Sequence, residues 1–339
     1  MMRYPISPLR RFNWSISPRV AGRLLALAVC ACASNCSTGE PPPSGAVTPV
    51  SYGRDVASAR DVPRDLPRTI CFGRRAPQVG DQSEQTLAFD VQLHQMMRQR
   101  DHVIEQAEMA THRHQRRVVT TTDVAGGAAV AALVRYPEAT KQVITAQSAS
   151  ELQTLSAPVD PQPVQGKAYR CRRTDAKLEI TDTEGKIPPL DEYKVVAQSM
   201  ETLGRINPLA EFLAGRSLSV GEKISLPKEI GERLLGLGDE LGEVSRFDLV
   251  LDDVKTVGGA ECAVFRANIV AASTGASQMR MEVDGPLVIE AATCRAIEAS
   301  FAGPLGMSET RGSLSEQYQM TGTGRISVRI ATAYRDVPL

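Results

Sequence analysis

Leu87, Phe89, Val91 and Leu93 alternate with Ala88, Asp90, Gln92 and His94. A period of two puts one apolar and one wet face on an extended chain. The same beat returns in Phe247, Leu249 and Leu251, in Met279, Met281 and Val283 against Arg280, Glu282 and Asp284, and in Ile326, Val328 and Ile330 against Arg325, Ser327 and Arg329. Antiparallel strands with one solvated face read this way. Val257-Gly258-Gly259 and the region of Asp175-Ala176 supply turns between them. One stretch keeps a different beat. After Pro188-Pro189, the residues Leu190, Tyr193, Val196, Met200 and Leu203 recur every three or four positions, which predicts a helix with proline near its first turn. Ile206, Leu209, Phe212 and Leu213 predict a second short helix ended by Gly215, and Ile230, Leu234 and Leu235 a third. Residues 95–116 fit two readings: Val103, Ile104 and Ala107 suit a helix, whereas the Val118-Val119-Thr120-Thr121-Thr122 that follows suits a strand. The predicted class is α+β and strand-dominated, a curved antiparallel sheet with a helical layer over residues 189–236.

A faint internal echo runs through this pattern. Val79-Gly80-Asp81 matches Val220-Gly221-Glu222, and further along each comes a comparable hairpin, GKAYRCRRTDAKLEIT from Gly166 and GPLVIEAATCRAIEAS from Gly285. Two similar sheet-forming halves, 68–187 and 216–339, are one reading. Chance likeness of common strand-and-turn sequence is the other.

The N-terminal part has no such rhythm. Residues 1–31 hold five arginines and no acidic residue, then an apolar run from Leu24 and small residues, the pattern of a secretory signal peptide. That run is about half of the roughly 20 residues that span a bilayer as a helix, and no other segment is long and apolar enough to do so. Two processing readings share the same residues. Val29-Cys30-Ala31-Cys32 resembles the lipobox of bacterial lipoproteins, with Cys32 as the lipid acceptor, although Cys30 is a misfit between Val29 and Ala31. Ala31-Cys32-Ala33 also fits ordinary cleavage before Ser34. The following STGEPPPSGAVTPVSYG is poor in apolar residues and carries Pro41-Pro42-Pro43; residues 32–67 read as a disordered Pro/Ser-rich stalk ahead of a β-rich domain, 68–339. The whole pattern resembles that of uncharacterised lipoproteins of Gram-negative bacteria, and the mature part is distantly similar to periplasmic lipoprotein carriers, whose incomplete barrel shelters acyl chains. The lipobox resemblance, with Ala33 rather than aspartate after Cys32, implies an outer-membrane lipoprotein held by its N-terminal lipid.

Charge and composition narrow the function classes. All five basic residues of 1–31 leave with a signal peptide, so the remainder carries 34 basic residues against 39 acidic ones. A mildly acidic exported chain lacks the clustered cations that a nucleic-acid backbone requires. Aromatic residues make up only 4% of the chain, too few to build the stacking platforms typical of sugar recognition. Cys71, Cys171, Cys262 and Cys294 are disulfide candidates in an oxidising compartment, with Cys71–Cys171 and Cys262–Cys294 as the expected pairs and buried free thiols as the competing reading. His112-Arg113-His114 places two imidazoles on one strand face, but the neighbouring arginines oppose a cation, so the segment reads as a solvated basic strand. Gly236, Gly238 and Gly242 follow a helix rather than a strand and read as a helix end, not a phosphate loop. The sequence therefore assigns no catalytic residue, cofactor or metal ligand. It leaves a non-catalytic envelope interaction or structural protein, with an envelope protein as partner, as the leading expectation. A carrier of lipid or another apolar ligand, lined by Met279, Met281, Leu287 and Ile289, is the alternative, and a hydrolase without a recognisable motif the third.

Overall fold

The computed structural model describes residues 68–100, 102–174, 177–235, 243–273, 277–311 and 317–337. The signal segment, Cys32, the proline stalk, Asp175-Ala176 and the glycines 236, 238 and 242 lie outside the described residues. The domain opens with β1 (Thr69–Cys71) and a meander of β2 (Gln82–Gln99), β3 (His102–Ala125) and β4 (Ala128–Ala146). A short helix, α1 (Ala149–Thr154), and the two-residue β5 (Asp160–Pro161) precede the hairpin of β6 (Ala168–Thr174) and β7 (Lys177–Asp182). Helices α2 (Leu190–Ser199) and α3 (Pro208–Leu213), strands β8 (Ser217–Ser219) and β9 (Lys223–Ser225), and helix α4 (Lys228–Leu235) come next. A second meander ends the chain: β10 (Glu243–Val257), β11 (Ala260–Ala272), β12 (Ser277–Glu290), β13 (Arg295–Arg311) and β14 (Tyr318–Arg335).

One sheet of 12 strands gathers nearly all of these in the order β7-β6-β4-β3-β2-β14-β13-β12-β11-β10-β9, with β5 beside β4. The first and last long strands pair, Phe89 with Val328 and Val91 with Ile326, so the two meanders share one sheet. Its outer strands β7 and β9 do not pair with each other, and the sheet stays open. Strand interiors carry glycines where the sheet bends. A Cβ on Gly303 would stand 1.9 Å from the Glu282 carbonyl oxygen and one on Gly324 1.8 Å from that of Gln92; only a residue without a side chain permits those approaches.

The alternating apolar positions all point to one face, called inner below, and form two cores. The larger joins β2 and β10–β14 with Ile70, Phe72, Leu209, Leu213 and Leu234. The smaller joins Val134, Tyr136, Tyr169, Cys171 and Ile180 with Val196, Met200 and Leu203 from α2 and the turn after it. The helical layer thus covers the inner face in two pieces. Leu190 departs from the predicted stripe: it is 67% exposed, whereas Tyr193 in the same turn packs on the smaller core. Residues 102–125 are one strand, which removes the helical reading of Val103, Ile104 and Ala107; Val103 and Ile104 are exposed near the β2–β3 turn.

The matching tripeptides occupy matching places. Gly80 N–H donates to the Thr121 carbonyl and Thr121 N–H to that of Asp81, while Gly221 N–H donates to the Leu251 carbonyl and Leu251 N–H to that of Glu222. The strands just before them, β1 and β8, pair with each other. Both glycines have positive φ, 95° and 88°, the region where glycine carries no steric penalty.

The expected disulfides are a correction: none of Cys71, Cys171, Cys262 and Cys294 is joined in a disulfide. Cys71 on β1 hydrogen-bonds the Ser217 hydroxyl at 3.0 Å, whereas Cys171 on β6 lies in the smaller core, so the first pair falls in separate sheets. Cys294 donates to the Gly73 carbonyl at 2.9 Å and packs in the larger core. Cys262 alternates with the inward Ala263 and Phe265, which turns its sulfur to the other face, where it donates to Ala260.

Candidate functional site

The inner face of β3 changes character halfway along. Met109 belongs to the larger core and Val119 packs on the smaller one, but between them the same face presents Thr111, Arg113, Gln115 and Arg117. This polar seam has apolar neighbours on β2: Val91 opposes Thr111, Phe89 opposes Arg113 and Leu87 opposes Gln115. On the other side, β4 sets Lys141 against Arg113 and Ala139 against Gln115. Thr111, Gln115 and Arg117 are buried.

Arg117 has an evident structural task. Its Nη1 donates to the Ser199 carbonyl while the Tyr136 hydroxyl bonds the Ser199 hydroxyl, so the end of α2 is pinned to the seam. Burial pushes the Tyr136 phenol up, and it pushes the neighbouring Cys171 thiol up to about 12 against the opposing field of Arg117. Neither group ionises at ordinary pH. Glu192 on the same helix accepts from Lys167 and from the Tyr169 hydroxyl, each at 2.6 Å. Burial and that carboxylate both raise the Tyr169 pKa.

At its Arg117 end the seam meets a cavity of about 70 Å³ lined by Gln85, Arg117, Thr121, Ser199, Thr332 and Asp336. Beyond it lies an ion network that ties three remote segments. Arg75 contacts Asp81 at 3.0 Å and Asp336 at 2.7 Å, and Arg295 contacts Asp336 at 2.6 Å. Burial of Asp81 works against its charge, but backbone donors from Val337 and Gln78 and the Arg75 guanidinium outweigh it and hold the carboxyl below its usual value.

Toward the opposite end, the inner face of β2, β13 and β14 runs past the helices. There Met97 opposes Met320, Met307 opposes Gly322, and all three methionines are only half-buried. Gly322 and Gly324 carry no side chain, and on the same face Gln95 opposes Gly322 and Glu309 opposes Met320, so the methionines have polar as well as apolar neighbours. The ligand candidates Met279, Met281, Leu287 and Ile289 sit deeper, packed within the larger core at 5% exposure or less.

The other face carries the histidines. His112 and His114 do share it, with Arg113 directed to the inner side, so the segment is a wet basic face backed by the half-buried Arg113 rather than wholly solvated. His94 meets Glu108 and His112 meets Asp90, each at 2.7 Å, and His114 meets Glu138 at 3.4 Å. His94, Glu108, His112 and Arg325 line a groove of about 360 Å³ beside Leu152 of α1. Among the described residues, no three ligating side chains converge on one point. Sequence reading passed over Arg113, Gln115 and Arg117 as a site. The signal was there in their odd numbering, which puts them in step with Met109 and Val119.

No known protein family matches this sequence, and no curated protein matches it. Among solved structures the chain is similar to lipovitellin, from a study of its lipid–protein interactions, at a TM-score of 0.34 and 9% identity over 77% of this chain and 26% of that one. An outer-membrane channel of Pseudomonas putida F1 gives a TM-score of 0.21 at 10% identity, covering 80% of this chain and 100% of that one. The toluene transporter TodX of P. putida gives 0.16 at 6% identity, covering 76% and 91%. The chain spans about a quarter of lipovitellin. Likenesses this loose carry no argument; the strand order and the faces of the sheet do. Those define an open antiparallel meander with a helical layer on its inner face and no helix, among the described residues, long and apolar enough to cross a membrane.

Proposed function

We propose that this is a non-catalytic envelope protein, tethered to the outer membrane through lipid on Cys32, that holds an apolar or amphiphilic molecule against the open end of its sheet. The observation that carries the binding reading is the set of half-buried Met97, Met307 and Met320 around the side-chain-free Gly322 and Gly324, which we read as a trough. Unbranched thioether side chains adapt to irregular apolar partners, and such surfaces serve loosely specific binding. The deeper stripe of Met279, Met281, Leu287 and Ile289 supports the floor instead of meeting a ligand, because the core already fills it.

The binding test is titration with an uncharged solvatochromic probe. Burying a methionine-sized side chain is worth about 1.5 to 3 kcal/mol, so Met320→Asp should weaken the probe about tenfold or more while Met320→Leu leaves it unchanged. Absence of binding by the unmodified protein would overturn the reading. Tethering is tested separately by mass spectrometry of the mature N-terminus: a lipid-modified Cys32 as the first residue is expected, and a free Ser34 would refute the anchor.

A further inference from the structure

The seam on β3 is built as though for something with negative charge. Arg113 and Lys141 face each other across β3 and β4. Arg113 keeps Nε and Nη1 buried without a hydrogen-bond partner, and two positions along the same face Gln115, 4% exposed, keeps its Nε2 likewise unpartnered. These are donors; an amide nitrogen and a guanidinium accept nothing. Among the described residues neither Arg113 nor Lys141 forms an ion pair. Arg113 is half-buried and Lys141 exposed; desolvation lowers the pKa of Arg113, and desolvation with the Arg113 charge lowers that of Lys141. The nearby carboxylates do not relieve them. Glu108 and Glu138 lie on the other face, engaged with His94, His114 and Arg116.

A half-buried unpaired cation and a buried unpaired donor are each costly, and here two strands bring them to one spot. We propose that Arg113, Gln115 and Lys141 form a binding site for an oxyanion, a carboxylate or phosphate group whose oxygens accept from the guanidinium, the amide and the ammonium together. Guanidinium suits this work because its fork matches two oxygens at once. Phe89 and Val91 lie beside the site on β2 but are packed into the larger core at 1% exposure. The site goes beyond the trough reading and does not need it.

Calorimetry on the full chain in low-salt buffer separates the possibilities with three probes: inorganic phosphate, decyl phosphate and decanol. The unmodified protein is expected to bind a phosphate probe, and Arg113→Met to lose at least about tenfold in affinity, since hydrogen bonds to charged groups are the strong ones. Gln115→Leu should give a smaller loss in the same direction. Decyl phosphate binding more tightly than inorganic phosphate identifies an amphiphile head as the source; equal binding identifies the free anion. Decanol reports on apolar binding alone and should be indifferent to Arg113→Met. Because the variant removes a half-buried unpaired charge, its melting temperature in phosphate-free buffer should equal or exceed that of the unmodified protein. Failure of both phosphate probes to bind overturns the site whatever decanol does, and so does an Arg113→Met variant that melts lower or binds phosphate as well as before.

Discussion

Asp81 shows what a single side chain does here. It is 5% exposed, accepts from the Gln78 and Val337 backbone at 2.8 and 3.0 Å, and pairs with Arg75. It therefore holds the start of β2 to the end of the chain. Its folded pKa lies below the 3.8 of the unfolded group, so the stability it contributes is present above that value and is lost as pH falls through the lowered folded value. Asp81→Asn keeps the shape and removes the charge. Leaving Arg75 and Arg295 short of a partner should cost about 2 kcal/mol or more at neutral pH. Below pH 3.8 the gap between variant and unmodified protein should narrow. Urea unfolding at pH 7 and pH 3 measures both; a gap that stays constant would remove Asp81 from the acid response.

At the scale of elements, the bend of the sheet and the seating of α2 are the two joints to test. Gly324 lies on β14 where it crosses Gln92 of β2, and that crossing joins the first and last long strands. Gly324→Val has no way to fit a side chain there and should cost about 3 kcal/mol or more, read as a fall in melting temperature; an unchanged melt would mean the strands can part at this point without loss. Such joints mark the limit of what the sequence made legible. The period-two runs of Leu87–Leu93, Phe247–Leu251 and Ile326–Ile330 and the three-and-four spacing of Val196, Met200 and Leu203 placed strands and helices correctly, because burial of one face is a local pattern. The pairing of β2 with β14 was not legible, since it depends on residues more than 200 positions apart. The seam was hidden for a different reason. Arg113 and Arg117 count as solvated by composition, and only the register with buried Met109 and Val119 turns them inward.

For the molecule as a whole, the question is whether two meanders and two cores make one cooperative unit. The turns at Gly80 and Gly221 are held in the same way, which suits two similar halves, but the packing does not divide where the sequence similarity does. The larger core draws Leu87, Phe89 and Val91 from the first meander together with Leu249, Phe265 and Val328 from the second. The smaller core belongs to β4, the β6–β7 hairpin and α2 with the turn after it, yet it is fastened to the seam by Arg117 and Tyr136 through Ser199. An apolar substitution in either core should therefore destabilise both. Leu203→Asp, at 8% exposure in the smaller core, and Phe265→Ala, at 0% in the larger one, should each cost about 3 to 5 kcal/mol and shift a single urea transition seen by circular dichroism. The thiol of Cys171 in one core and that of Cys294 in the other give independent probes, both buried and neither in a disulfide. Their labelling should begin at the same urea concentration, and both onsets should move together in Leu203→Asp. If Cys171 becomes reactive well before Cys294, the smaller core opens by itself and the seam, rather than joining the cores, is the line along which the sheet comes apart.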